Sequence, residues 1–177
     1  MTVVTEGKLT FVIQGTYYVS RHPDAVLSTV LGSCISVCLY DLGTRIGGMN
    51  HFLLPSGRGT DSGHIRFGVN AMEMLINELL QGGAVRSALQ AKLFGGARMS
   101  ANLMDIGKAN AVFAREFLTC EGIPVTSEST GGTAARRVVF RAATGQAKLM
   151  FVANDQVAPA EMALPRSAPP PGNLELF

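Results

Sequence analysis

The sequence predicts an α+β fold, a single layered domain of mixed β-sheets with two main helices. Three observations carry that expectation. Short extended runs that stop at Gly or Pro outnumber the helical patterns, only two segments repeat their apolar residues with helical spacing, and several strands precede the first helix while more follow the second, so there is no regular βαβ alternation. At 177 residues, 47% hydrophobic and 16% charged, the chain has enough apolar material for one substantial core and is short for two.

The elements follow in order. Residues 8–13 (Lys-Leu-Thr-Phe-Val-Ile) are rich in strand formers and end at Gly15; residues 16–19 form a second short extended piece. Pro23 makes residues 20–24 a turn, because it fixes its own φ and steers His22 away from helix. Residues 25–31 read as a strand leading into Gly32-Ser33. Residues 34–40 are a nearly continuous apolar run, and residues 45–54 resume after the turn at 41–43, so the two form a hairpin closed by Pro55. After a polar, glycine-rich loop at 56–64, Met72, Leu75, Ile76, Leu79 and Leu80 mark a helix that stops at Gly82-Gly83. Residues 89–94 form a strand entering Gly95-Gly96-Ala97, and residues 98–106 a loop. A second helix then presents Ala109, Val112, Phe113, Phe117 and Cys120 on one side until Gly122 and Pro124. Extended pieces at 124–127, 137–141 and 148–152 complete the domain, with Thr144-Gly145 as a hairpin turn between the last two. Five of the eight prolines fall at 157–177, so the domain is expected to span 1–156 and a Pro-rich, disordered tail 157–177.

Composition excludes several classes of function. A net charge of +2, with no Lys/Arg cluster, no Trp and 7% aromatic residues, offers neither a phosphate-tracking stripe nor a base-stacking platform, so no nucleic-acid partner is expected. Three cysteines, at 34, 38 and 120, are no disulfide framework and fit a reducing compartment. Cys34 and Cys38 lack the further Cys or His that would complete a zinc site, so neither a metal nor another cofactor is implied. The N-terminus has no signal-peptide pattern and no apolar run nears the roughly 20 residues that span a bilayer. A cytoplasmic protein, not inserted in a membrane, is expected.

One stretch carries candidate chemistry. Gly32-Ser33 permit a tight bend immediately before Cys34, which exposes a thiol and aims backbone N–H groups of residues such as Gly32 and Ser33 at a developing oxyanion. A free cysteine in an apolar run is more often a small buried hydrophobe, and Cys38 and Cys120 keep that reading. Of three histidines, His22 sits in a turn and His64 closes the glycine-rich loop, whereas His51 lies within an apolar segment on the neighbouring arm of the hairpin, where an imidazole is hydrogen-bonded or functional. A thiol needs such a base to form its thiolate and later to protonate a leaving group. Ser28, Thr29, Asp41 and Asn50 are the candidates to orient the ring. The residues alone therefore describe a cysteine hydrolase or acyl-transfer enzyme.

The segments 30–41 (Val-Leu-Gly-Ser-Cys-Ile-Ser-Val-Cys-Leu-Tyr-Asp) and 47–55 (Gly-Gly-Met-Asn-His-Phe-Leu-Leu-Pro) resemble the signature of the CheD family, the chemoreceptor glutamine deamidases of bacterial chemotaxis. The resemblance continues through residues 71–80 and 91–97, Ile106-Gly107 with Asn110, and Thr130-Gly131-Gly132 with Arg136, so it covers about residues 11–152. It implies Cys34 as nucleophile and His51 as general base. The family's third catalytic residue, a threonine, falls on Ser28, with Thr29 beside it, and Gly32, Ser33 and Asn50 are candidates for the pocket. The implied activity is that of a protein-glutamine glutaminase, a hydrolase that converts particular glutamines of methyl-accepting chemotaxis receptors to glutamate through a thioester, with release of ammonia. The implied fold is similar to the catalytic domain of cytotoxic necrotizing factors, and the implied partners are the receptors and, in some members, a CheC-type chemotaxis phosphatase. Two rival readings share the same residues: a binding module regulating a phosphatase or receptor, and a receptor glutamyl methylesterase.

Overall fold

In the computed structural model, residues 9–54, 62–99 and 105–154 are described. They form nine strands and two α-helices: β1 (Leu9–Phe11), β2 (Thr16–Ser20), β3 (Val26–Leu31), β4 (Ile35–Asp41), β5 (Ile46–His51), α1 (Ser62–Gln81), β6 (Gln90–Gly95), α2 (Ile106–Cys120), β7 (Val125–Thr130), β8 (Ala135–Arg141) and β9 (Gln146–Val152). The α+β class and the two main helices agree with expectation. The expected boundary at 156, the tail from 157, Pro55 and most of the loops at 56–64 and 98–106 lie outside the described residues. His64 belongs to the first turn of α1 rather than to a loop.

The strands build two mixed sheets. One is four-stranded, in the order β1-β3-β8-β9, and the other five-stranded, in the order β2-β5-β4-β6-β7. Period-two alternation divides each central strand between two cores. On β4, Ile35, Val37 and Leu39 face one way, into a cluster with Met72, Leu75, Ile76 and Leu79 of α1 and Ala111, Ala114 and Leu118 of α2. Cys34, Cys38 and Tyr40 face the other way and meet Leu27 and Leu31 of β3 and Val138 and Phe140 of β8. The layers therefore run four-stranded sheet, five-stranded sheet, helices, and β4 is buried along its whole length because it is covered on both sides.

Two glycines set how closely these layers meet. A Cβ on Gly47 of β5 would collide with the backbone carbonyl of Ala142, so the sheets close there only because that position has no side chain. Gly95, at φ 110°, ends β6 in a conformation that disfavours other residues, and a Cβ there would strike the carbonyl of Cys34.

Helix α2 starts on an N-cap, with the Asp105 carboxylate accepting from Lys108 N–H at 2.9 Å. Its buried face is Gly107, Asn110, Ala111, Ala114 and Leu118. That corrects the expected face: Ala109, Val112 and Cys120 are exposed, and Phe113 and Phe117 are only half-buried at the rim. The small residues lie against the sheet because the helix approaches it closely at Gly107, where a Cβ would come within 2.5 Å of the carbonyls of Gly96 and Ala97. An apolar count selects the large side chains, whereas close approach selects the small ones.

Candidate active site

The site lies in the seam between the two sheets. Backbone bonds pair Ile35 with Phe52 in both directions at 2.9 Å, and Cys38 lies opposite Met49 on the same antiparallel ladder. This register sets His51 one diagonal step from Cys34, on the shared seam face. Cys34 has no solvent exposure and His51 only 4%.

The bend before Cys34 is held from three directions. Ala97 N–H donates to Gly32 carbonyl at 2.8 Å, and Gly96 N–H donates to Cys34 carbonyl at 2.7 Å. Asn110, fully buried on α2, donates from Nδ2 to the Ser33 carbonyl at 2.8 Å while its Oδ1 accepts from Leu54 N–H at 2.9 Å. One amide thus ties the segment leading to the thiol to the segment leaving the imidazole. Neither Asn110 nor the Gly95-Gly96 approach is assigned a role in the sequence reading. A buried Asn on an apolar helix face is the signal that points to the first.

His51 is oriented by Thr29, and the hydrogen bonds assign its tautomer. Thr29 Oγ1 donates its single proton to the Val12 carbonyl at 2.7 Å, so at 2.8 Å from His51 Nδ1 it acts as acceptor. The same ring nitrogen lies 3.2 Å from the Val12 carbonyl, which also only accepts. A proton on Nδ1 satisfies both contacts, and in that tautomer Nε2 is the basic nitrogen of the ring.

Ser28 does not take that place. Its side chain is on the opposite face of β3, and its hydroxyl donates to the Val138 carbonyl at 2.9 Å. Strand alternation is the reason: Leu27, Thr29 and Leu31 point into the seam, and Ser28 points out of it. Asn50 is displaced in the same way. It faces the helices, accepting from Val37 N–H at 2.9 Å and donating to the Ala71 carbonyl at 3.3 Å, so it is not part of a pocket at the thiol. Asp41 caps its own turn, accepting from Gly43 N–H at 2.8 Å, Thr44 Oγ1 at 2.8 Å and Val85 N–H at 2.9 Å. Burial alone raises its carboxyl, but these donors outweigh it and hold the group below the ordinary carboxylate range.

Cys38 shares the seam face with Cys34, but burial pushes its thiol far up, with the Ser36 hydroxyl and Lys92 opposing only weakly, so it stays protonated and inert. Cys120 is exposed on the far side of α2. Among the described residues no cluster of His, Cys, Asp or Glu could hold a metal ion.

Residues 53–150 match a family model described as CheD, chemotactic sensory transduction. The chain belongs to the CheD family. It is 57% identical over 145 residues to a probable chemoreceptor glutamine deamidase CheD 1 of Ruegeria sp. (strain TM1040), covering 82% of this chain and 78% of the relative. It is 53% identical over 172 residues to a probable chemoreceptor glutamine deamidase CheD of Caulobacter sp. (strain K31), covering 94% and 91%. Among solved structures, Neisseria meningitidis protein NMB0706, of the DUF152 family model, superposes with a TM-score of 0.47 at 15% identity, covering 82% of this chain and 75% of the other. In this CheD chain no described helix is long and apolar enough to cross a membrane. The residues around the bend are also held by a second buried group: Arg136, 2% exposed, donates to the carbonyls of Ser129 and Gly131 and lies 5.4 Å over the Phe151 ring. It thereby fixes the loop whose Gly131 N–H reaches the Gly95 carbonyl at 3.0 Å and whose Gly132 carbonyl accepts from Arg98 N–H at 2.8 Å.

Proposed function

We propose that this chain is a cytoplasmic protein-glutamine deamidase acting on chemoreceptors, with Cys34 as nucleophile, His51 as general base and Thr29 as the residue that positions the imidazole. The names of the relatives supply the substrate class. The observation that carries the mechanism is the Thr29–His51 hydrogen bond of 2.8 Å, which leaves the Nε2 lone pair as the only ring position able to take a proton.

The chemistry follows in balanced steps. His51 Nε2 removes the Cys34 Sγ proton, and the thiolate attacks the side-chain carboxamide carbon of a receptor glutamine. Backbone N–H groups at the Gly32-Ser33 bend stabilise the oxyanion. As the tetrahedral species collapses, the imidazolium gives its proton to the departing nitrogen, ammonia leaves and a thioester remains. His51 then takes a proton from water, the hydroxide attacks the thioester, and the proton returns to sulfur as glutamate is released. No cofactor enters any step.

The test incubates the protein with a receptor cytoplasmic fragment and follows ammonia together with conversion of glutamine to glutamate by peptide mass spectrometry. Conversion is expected with the wild type and is lost in Cys34→Ala. Undiminished conversion by Cys34→Ala would remove Cys34 from the mechanism.

A further inference from the structure

The mechanism leaves one contact at the thiol unexplained. Gln14 lies at the turn between β1 and β2, an exposed residue whose side-chain Oε1 is 3.7 Å from Cys34 Sγ, with the thiol as donor. A glutamine carboxamide is the group on which the proposed chemistry acts, and here one belonging to the chain itself sits against the nucleophile.

The turn that presents it is stitched down on both flanks. Val12 N–H donates to the Ser28 carbonyl at 2.9 Å, Gly15 N–H donates to the His51 carbonyl at 2.7 Å, and Thr16 closes back on the Ile13 carbonyl through both N–H and Oγ1. Val12 also offers the carbonyl that meets Thr29 and His51. The backbone of 12–16 is therefore part of the site's frame, and Gln14 is an exposed residue carried on it. Rotamer changes in exposed residues take ps–ns.

We infer that Gln14 is a built-in occupant of the substrate carboxamide's seat, a cover that an incoming receptor glutamine displaces. Its contact is non-productive, because the amide oxygen engages the thiol proton. The closed form competes with substrate within the same molecule, so the apparent affinity for a receptor glutamine is lowered by the fraction of molecules that are open. An open population of about 10% gives a roughly ten-fold rise in apparent KM with kcat unchanged.

The inference leans on the proposed nucleophile for its kinetic arm only. Alkylation of Cys34 by iodoacetamide reads thiol accessibility whether or not the thiol is catalytic, and peptide mapping separates it from Cys120, whose rate serves as the internal reference. Gln14→Ala is expected to alkylate at Cys34 about ten-fold faster than wild type, with the Cys120 rate unchanged, and to lower KM for the receptor fragment with little change in kcat. Gln14→Glu keeps the length of the cover and sets a carboxylate beside the thiol, which opposes thiolate formation, so its Cys34 alkylates no faster than wild type. Equal Cys34 rates in wild type and Gln14→Ala would overturn the cover. So would a Gln14→Glu variant as fast as Gln14→Ala, since the turn rather than the carboxamide would then control access. Glutamate found at position 14 in wild-type protein, absent in Cys34→Ala, would refute the non-productive placement by showing Gln14 to be a substrate. Faster alkylation without any change in KM would retain the cover and place the fault in the assignment of Cys34 as nucleophile.

Discussion

Thr29→Val is the substitution that separates a positioned imidazole from a merely buried one. Valine keeps the β-branched shape on a β-strand and removes only the hydroxyl, so the seam loses no volume. The hydroxyl of Thr29, a residue 2% exposed, makes one bond of 2.7 Å to the Val12 carbonyl and one of 2.8 Å from His51 Nδ1. At a net value of about 1 kcal/mol per buried hydrogen bond, the loss is about 2 kcal/mol of stability. It is held near that figure because Nδ1–H keeps its 3.2 Å contact with the Val12 carbonyl and is not orphaned. The same residual contact preserves the tautomer but allows the ring to pivot, so turnover falls through misorientation. Spending a similar amount at the transition state, at about 1.4 kcal/mol per factor of ten, gives a loss of roughly 10- to 100-fold in kcat with KM little changed. Receptor-fragment deamidation measured beside urea unfolding separates the two effects, and Thr29→Ser, which restores the oxygen, is expected to recover most of the rate. Ser28→Ala is the matched control. Its hydroxyl donates to the Val138 carbonyl, away from the seam, so its loss costs some stability and leaves kcat close to wild type. If Ser28→Ala abolished turnover while Thr29→Val retained it, the assignment of the orienting residue to the seam face of β3 would be wrong.

Two further predictions concern the frame. Asn110→Ala leaves the Leu54 N–H and the Ser33 carbonyl without their buried partner, so a stability loss of about 2–4 kcal/mol in chemical unfolding is expected, together with a fall in kcat as the bend and the end of β5 lose their tie. Asp41 gives a pH signature: its folded carboxyl sits below the ordinary range, so it stabilises the fold above the unfolded pKa of about 3.9 and the contribution disappears as pH falls through the folded value. The gap in urea midpoint between wild type and Asp41→Asn should therefore be full above about pH 5 and close progressively below about pH 4; a gap that widened on acidification would contradict the sign.

Local signals made some of this architecture legible and hid the rest. The strands, the hairpin β4–β5 and helix α1 follow from alternation, turn residues and 3.6-residue spacing, all of which act within a few residues. That Cys34 and His51 share one face of one hairpin is legible for the same reason, since antiparallel register fixes which side chains share a face. The choice between Ser28 and Thr29 was not. They differ by one residue, and in a strand one residue exchanges the faces, so the answer depends on which side of β3 meets the other sheet. The buried face of α2 is hidden from an apolar count because its packing is governed by close approach at Gly107 and by a polar staple, Asn110, both of which such a count ranks low. Gln14 escaped because a polar residue in a turn carries no local mark of what lies across the gap from it.

The division of the site between the two sheets has a consequence for how activity responds to damage. Cys34 and His51 belong to the hairpin of the five-stranded sheet, whereas Thr29 and the Val12 carbonyl come with β3 and the chain leaving β1, in the four-stranded sheet. The thiol and imidazole are placed by backbone pairing within one sheet, but the tautomer and orientation of the ring are supplied across the seam. Loosening the seam without unfolding either sheet should therefore leave Cys34 and His51 on their hairpin and disorient the imidazole. Gly47→Ala does this, because its Cβ meets the Ala142 carbonyl and the sheets must part to admit it. With Thr29 positioning the ring from across the seam, turnover in the proposed reaction depends on sheet-to-sheet distance and not only on the residues at the centre.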